Sequence, residues 1–424
     1  MAGAATLGEI ENNMLNKRMQ LTIILFLLAL AATVMIALFA FLPGKKDHPA
    51  EPAPALKKAV PNINWPVFRG NQNLSGFADA GLADEFELAW TFTTGAVIES
   101  VPIINKETIF ASSADGKIYA LGRDKGDLIW EFDSGAPIEA SALYFKNTVY
   151  AGNRNGVLYA LDAGTGREKW KYATGNKITG SANYAEISEQ QYIILIGSYD
   201  NAMHALDANT GKQLWEYTAK SYINGAPSVF KNSLAFGGCD SFLRILEVGT
   251  GKEIAGVEMG SYIASSVCYF EGNIYLAHYG GNIVCFSLQE NKILWQYPKD
   301  SSLGPFLGSP AVNMEKVVIG SQDKKLYAVN RFTGELVWTF DTKGEVKSSP
   351  VIFASKVVAG SSDGRLYILN LDDGSLLWSY EIGAEISGFA VTGGMIIAAA
   401  GTGVYAFKSD FVRAQNSKSQ FRNH

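Results

Sequence analysis

Apolar residues are placed by two different rules along this chain. Between Leu21 and Leu42 they run on without a charged residue for 22 positions. At about 1.5 Å per residue that is roughly 33 Å of helix, enough to cross a bilayer. From Trp65 onward they come instead in short alternating runs, broken by Asp-Gly and Thr-Gly pairs such as Asp363-Gly364 and Thr165-Gly166. Alternation of this kind predicts half-buried strands, and the paired turn residues predict tight hairpins. Residues 65–408 are therefore read as all-β, preceded by one transmembrane helix.

The strands fall in a repeat. Ala160–Trp170 (A-L-D-A-G-T-G-R-E-K-W) recurs as Ala205–Trp215 and Ala328–Trp338, with looser copies at Ala120–Trp130, Ile368–Trp378 and Cys285–Trp295. Tryptophans stand at 90, 130, 170, 215, 295, 338 and 378, separated by 40, 40, 45, 80, 43 and 40 residues. The double gap has its missing member at Ala255, where the Thr250-Gly251 turn is kept and the ring is lost. Each interval carries four short strands. In one of them these are read as Val346–Phe353, Lys356–Ser361, Arg365–Asn370 and Leu376–Glu381. Four antiparallel strands per roughly 40 residues predict a propeller blade. The third-strand motif gives the same count, at Tyr119, Tyr159, His204, Arg244, Val284, Tyr327, Tyr367 and Tyr405. Its last copy lacks a following tryptophan and the first tryptophan lacks a preceding third strand. An eight-bladed ring results, closed by Phe86–Phe92 pairing with Gly403–Lys408, which leaves no open seam. Ser100, Ala140, Gly180, Gly225, Ser265, Gly308, Ser348 and Gly388 align at the innermost position. Only small side chains fit where eight strands converge, so the serines among them are read as steric rather than catalytic.

Composition adds mostly exclusions. The 43 glycines suit many tight turns, and a net charge of −5 gives no footprint for nucleic acid. Cys239, Cys268 and Cys285 contain no C-x-x-C and read as buried hydrophobes. His48, His204, His278 and His424 are scattered, with no metal-ligand spacing. The aspartates at 115, 200, 240, 323 and 363 recur at one position, which turn chemistry explains without a calcium ring.

The flanks set the expected organisation. Residues 1–20 form a polar tail, 21–42 the anchor in the lipid bilayer, 43–64 a Pro-rich spacer, 65–408 the propeller and 409–424 a flexible tail. The apolar run is longer than the roughly 7–15 residues of a cleavable leader, although the small residues at Ala37–Ala40 keep cleavage open as an alternative. No cysteine follows it to accept a lipid. Lys17 and Arg18 precede the span, and Lys45, Lys46, Lys57 and Lys58 follow it, so counting cations does not favour export.

The A-x-D-x-x-T-G-x-x-x-W repeat, with D-G-x-L-Y-A-L-D before it and W-P-V-F-R-G at Trp65–Gly70, resembles the PQQ-type (pyrroloquinoline-quinone-like) β-propeller family. The resemblance spans residues 65–408. It implies that Trp90, Trp130, Trp170, Trp215, Trp295, Trp338 and Trp378 dock neighbouring blades. Two branches of the family differ in function. Quinoprotein dehydrogenases hold PQQ and calcium on the axis, usually beside an adjacent cysteine pair that is lacking here. Glu99, Glu139 and Glu385, in the loops feeding the first strands, are the nearest carboxylates for such chemistry and read as solvated loop charge. The compact blades are closer to the non-catalytic, BamB-like branch. That branch implies a scaffold without cofactor or metal, held on the extracytoplasmic side of a membrane and binding a protein partner. A quinoprotein-like enzyme or a ligand-sensing propeller is the alternative. The partner-binding candidates are Tyr222 and Ile223 in one blade-connecting loop, and Phe306 and Leu307 in the longest, 297–309.

Overall fold

The computed structural model describes residues 64–79, 81–300, 302–392 and 394–409. The expected anchor, most of the Pro-rich spacer and the C-terminal tail lie outside these residues. Among the described residues no helix is long and apolar enough to cross a membrane.

Eight four-stranded antiparallel sheets form the blades of a propeller. Blades 1 to 7 occupy residues 103–133, 143–173, 183–218, 228–258, 268–297, 311–341 and 351–381 in chain order. Blade 8 combines Ile386–Thr392, Met395–Ala400 and Gly403–Lys408 with Glu87–Thr93 from the start of the ring. Thr91 pairs with Tyr405 and Glu87 with Lys408, so the expected closure is the observed one. The two ends of the chain are thereby hydrogen-bonded into one sheet.

First strands are shorter than the alternation predicts. In blade 7 the strand is Val351–Phe353, not Val346–Phe353. Pro350 has no N–H to give a ladder, and Pro102, Pro227 and Pro310 stand at the same point of blades 1, 4 and 6. The preceding residues turn inward to the axis. There the aligned small residues touch the next blade: a Cβ on Gly180 would lie 2.7 Å from the Asn224 carbonyl oxygen, and one on Gly225 2.7 Å from that of Ser265.

Blades are joined at their outer edge by tryptophan. Trp170 lies flat on Gly211 in the third-to-fourth-strand turn of the next blade, where an added Cβ would sit 2.5 Å from the ring. Its indole N–H donates to the Ala208 carbonyl at 3.1 Å. Trp90, Trp130, Trp215, Trp295 and Trp338 repeat both contacts, on Gly126, Gly166, Gly251, Gly334 and Gly374. The two remaining seams differ. Ala255 replaces tryptophan where blade 5 has Asn291 instead of the turn glycine. Trp378 meets blade 8, which has no such turn, and packs edge-on against Phe86 and Phe407.

A second closure was not legible in the alternation. Asn64–Ala78 passes around the ring on the face that carries the first hairpins, touching the blades in order. Trp65 bridges Ile104 of blade 1, and the Pro66 carbonyl accepts the Tyr144 N–H of blade 2. The Gln72, Asn73, Ser75 and Gly76 carbonyls accept N–H groups from Val229, Tyr269, Val312 and Ile352 of blades 4 to 7. Blade 3 is tied by side chains, Asn183 donating to the Gln72 carbonyl and Gln72 to that of Tyr184. Phe77–Ala78 then adds a parallel strand to blade 7.

Candidate functional site

The propeller axis holds a blind funnel of about 190 Å3. Its mouth is ringed by one residue per blade at the same repeat position: Glu99, Glu139, Thr179, Asn224, Ala264, Leu307, Lys347 and Ser387. Two residues deeper the walls are Val101, Ser141, Ser181, Ala226, Ser266, Ser309 and Ser349. These serines stitch the inner strands together. Ser141 accepts the Val101 N–H at 2.8 Å, Ser181 that of Ser141 at 3.1 Å, and Ser266, Ser309 and Ser349 accept those of Ala226, Ser266 and Ser309. Phe68, from the encircling N-terminal segment, also lines the funnel. Next to it, Arg69 is 2% exposed, and its guanidinium donates to the Pro350 and Pro310 carbonyls at 2.6 and 3.0 Å. Burial lowers its pKa to about 10.

Charge at the mouth is mixed. Lys347 lies 3.1 Å from Glu345 and 3.3 Å from Glu385, while Arg154 lies 3.2 Å from Glu139. Partial burial, reinforced by Glu139 and Glu385, pushes the Glu99 pKa up against the opposing pull of Arg154. Asp115, Asp240, Asp323 and Asp363 do more than shape a turn. Each accepts the N–H two residues on and a polar side chain four residues on, Tyr119, Arg244, Tyr327 and Tyr367 respectively. Asp200 has the same arrangement with His204, at 3.0 Å. Asp115, Asp200, Asp240 and Asp363 also accept an N–H from the loop entering their blade. At Asp115 burial works the other way, yet these donors hold its pKa below the ordinary value. Among the described residues no group of three or more His, Cys, Asp or Glu is placed to hold a metal.

Of the four expected binding-loop residues, two are elsewhere. Ile223 and Phe306 are fully buried. They occupy a repeat position shared with Ile98, Ile138, Ile178, Ile263, Val346 and Ile386, all of them buried. The loops are exposed, but this residue of each is driven into the core. Tyr222 is 45% exposed, and Leu307 is half-buried in the funnel mouth. Cys239 is only half-buried, unlike Cys268 and Cys285, and accepts a hydrogen bond from the Asn224 amide at 3.2 Å.

The rim around the mouth is a fixed backbone frame with variable side chains. In seven blades the residue before the turn aspartate, or its equivalent, donates its N–H to the loop entering the blade: Ala114 to Val97, Arg154 to Pro137, Tyr199 to Lys177, Cys239 to Tyr222, Tyr279 to Tyr262, Gln322 to Pro305 and Ser362 to Glu345. On blades 3 to 5 this frame gathers four tyrosines. Tyr199 and Tyr222 stack at 4.7 Å and 15°, and Tyr262 and Tyr279 at 4.4 Å and 21°. Lys177 lies 4.1 Å over the Tyr199 ring. Comparing the repeats at these two variable positions would have revealed Tyr199 and Tyr279 at the donor position and Tyr262 beside Tyr222 at the acceptor position.

A protein-family model described as "Outer membrane protein assembly factor BamB" matches residues 83–192 and 239–410. The chain belongs to that family. No curated protein sequence matches it. Among solved structures, BamB from Moraxella catarrhalis is similar at 20% identity and a TM-score of 0.65, covering 77% of this chain and 98% of that one. The quinohemoprotein alcohol dehydrogenase from Comamonas testosteroni is similar at 14% identity and a TM-score of 0.68, covering 82% and 80%. A europium-containing methanol dehydrogenase is similar at 13% identity and 0.66, covering 82% and 98%. At such identities these structures share the fold with this BamB-family chain. Residues 193–238, between the matched parts, include Tyr199 and Tyr222.

Proposed function

We propose that this BamB-family propeller is a non-enzymatic, membrane-anchored scaffold on the extracytoplasmic side, which binds a protein partner through the tyrosine rim of blades 3 to 5. The observation that carries the reading is the pair of stacked tyrosine couples beside the funnel. Tyr222 and Tyr279 are 45% and 41% exposed, held by a rigid backbone frame. Tyrosine gives a large contact area for few rotors and is enriched where interfaces concentrate their energy. The expected anchor at residues 21–42 would tether the propeller to a membrane.

The funnel's chemistry supports the same reading against a dehydrogenase. PQQ is a fused three-ring quinone carrying three carboxylates. The funnel's volume of about 190 Å3 falls below the roughly 300 Å3 at which pockets for ligands of that class begin, and the adjoining hollow of about 440 Å3 at its mouth is lined by Glu99 and Glu385 as well as Lys347. Glu99, Glu139 and Glu385 at the mouth oppose a triple anion, with Lys347 and Arg154 already paired to acids. Below them the wall is mostly serine, and the one aromatic ring among the described lining residues is Phe68 of the encircling segment. The turn aspartates already accept N–H donors, which offers calcium no ready ligand set.

The test replaces Tyr222 and Tyr279 together by serine in the full chain, with partner capture from membranes read by cross-linking. The reading predicts that a discrete wild-type adduct is lost while the unfolding temperature is kept. An adduct of unchanged yield would overturn the assignment to this rim.

A further inference from the structure

A sizeable cavity lies on the opposite face from the tyrosine rim, and the regular repeat does not account for it. Its volume is about 690 Å3, within the range of sites for small ligands. The tryptophan interval from 170 to 215 is five residues longer than its neighbours. That surplus sits in the first hairpin of blade 3, whose strands Asn183–Ser188 and Gln191–Gly197 outgrow the Leu143–Phe145 and Thr148–Gly152 pair of blade 2. The extended hairpin supplies Tyr184, Glu186 and Tyr192 as one wall of the cavity. Insertions confined to one face of a repeat protein commonly build its binding surface.

The lining has three kinds of group. Phe145 stacks on Tyr184 at 3.9 Å and Phe230 on Tyr269 at 4.1 Å, giving flat apolar platforms on two sides. Asn71, Gln72 and Asn73 of the encircling segment also line the cavity, with the Asn71 amide bonded to Ser75 and the Gln72 amide donating to the Tyr184 carbonyl. Two lysines stand at matching hairpin tips, Lys146 after Phe145 and Lys231 after Phe230. Lys146 lies 3.5 Å from the Tyr192 ring centre, and Tyr192 donates to Glu186 at 3.2 Å. Lys231 makes no ion pair among the described residues.

We propose that this cavity binds a small acidic saccharide, one or two sugar rings bearing a carboxylate. Sugar C–H faces pack on aromatic rings, ring hydroxyls need donors and acceptors such as side-chain amides, and the two lysines answer the acidic group. An extended peptide added to the edge of blade 3 fits less well. The Tyr184 N–H already donates to the Asn183 side chain, and its carbonyl accepts from Gln72, so the edge is capped where a new strand would begin.

Titration calorimetry of the full chain in a non-glycosidic detergent tests this, with digalacturonate, the neutral sugar cellobiose and hexaglutamate as probes. Digalacturonate is expected to bind saturably and more tightly than cellobiose. The surface variant K146Q/K231Q removes that preference, and Y184A weakens digalacturonate binding at least tenfold with the unfolding temperature maintained. If Y184A proves destabilised, F145L replaces it as the platform variant. No saturable binding of digalacturonate, equal binding by K146Q/K231Q, or binding of hexaglutamate alone would each overturn the proposal.

Discussion

Single residues carry the contacts between blades, and their coupling is measurable. Trp170 and Gly211 form one lock, since the ring occupies the space a Cβ would need. Trp170 is half-buried, so W170A is expected to cost about 3 kcal/mol, the low end for removing a buried aromatic. Gly211 has a φ of +70° as well as the ring above it, so G211A is doubly unfavourable. In the W170A background only the backbone strain of about 1–2 kcal/mol remains. Urea unfolding of the four-member cycle should therefore show strong non-additivity, and additive costs would show that the two do not act as a lock. Glu99 makes a separate prediction. Its pKa is raised by burial and by Glu139 and Glu385. An acid whose native pKa is raised above its unfolded value weakens the fold only once it ionises. That cost is absent below the ordinary value of 4.5 and grows as pH rises through the native pKa. E99Q should raise the unfolding temperature at pH 7 and leave it unchanged at pH 4. An equal gain at both pH values would assign the effect to packing.

Elements divide into those the sequence states and those it hides. The four strands of each blade were legible because turn glycines, the aspartate and the tryptophan recur at fixed spacing, each serving the same structural need in most blades. Trp65–Ala78 was not, because it hydrogen-bonds mainly through its own carbonyls, which leave no side-chain pattern. The binding loops were half legible. Gly and Pro marked Tyr297–Ser309 as a loop, but burial of Phe306 shows only when it is aligned with Ile98, Ile223 and Val346. The pocket wall was present in the sequence as one long tryptophan interval. For the encircling segment the decisive residue is Gly76. A Cβ there would stand 1.9 Å from the Arg69 guanidinium, at a φ of +60°. G76A is expected to expel Arg69 from the Pro310 and Pro350 carbonyls. Hydrogen exchange should then quicken at the Val312 and Ile352 amides, with blade interiors still protected. Unchanged protection at both would mean that the segment does not depend on this fit.

At the scale of the whole propeller, the described residues form a ring closed twice, once by Glu87–Thr93 in blade 8 and once by the segment that runs from blade 1 to blade 7. Two seams lack the tryptophan-on-glycine contact, those between blades 4 and 5 and between blades 7 and 8. The second is covered by Phe86, Trp378 and Phe407, which leaves the first as the expected point of opening. Exchange at the edge of blade 4, near Ala255, should exceed that at the edge of blade 3, near Trp215. Uniform protection around the ring would contradict this. A rigid ring with an elaborated surface on each face suits the proposed scaffold, and the narrow, acid-mouthed axis is what supports that proposal over a quinone enzyme. The most direct measurement is thermal unfolding of the purified full chain with PQQ and calcium added together at increasing concentration. A ligand that binds only the folded state must raise the unfolding temperature in proportion to its occupancy. The account predicts no shift up to saturating amounts, and a rise that grows with PQQ concentration and disappears on removing calcium would contradict it.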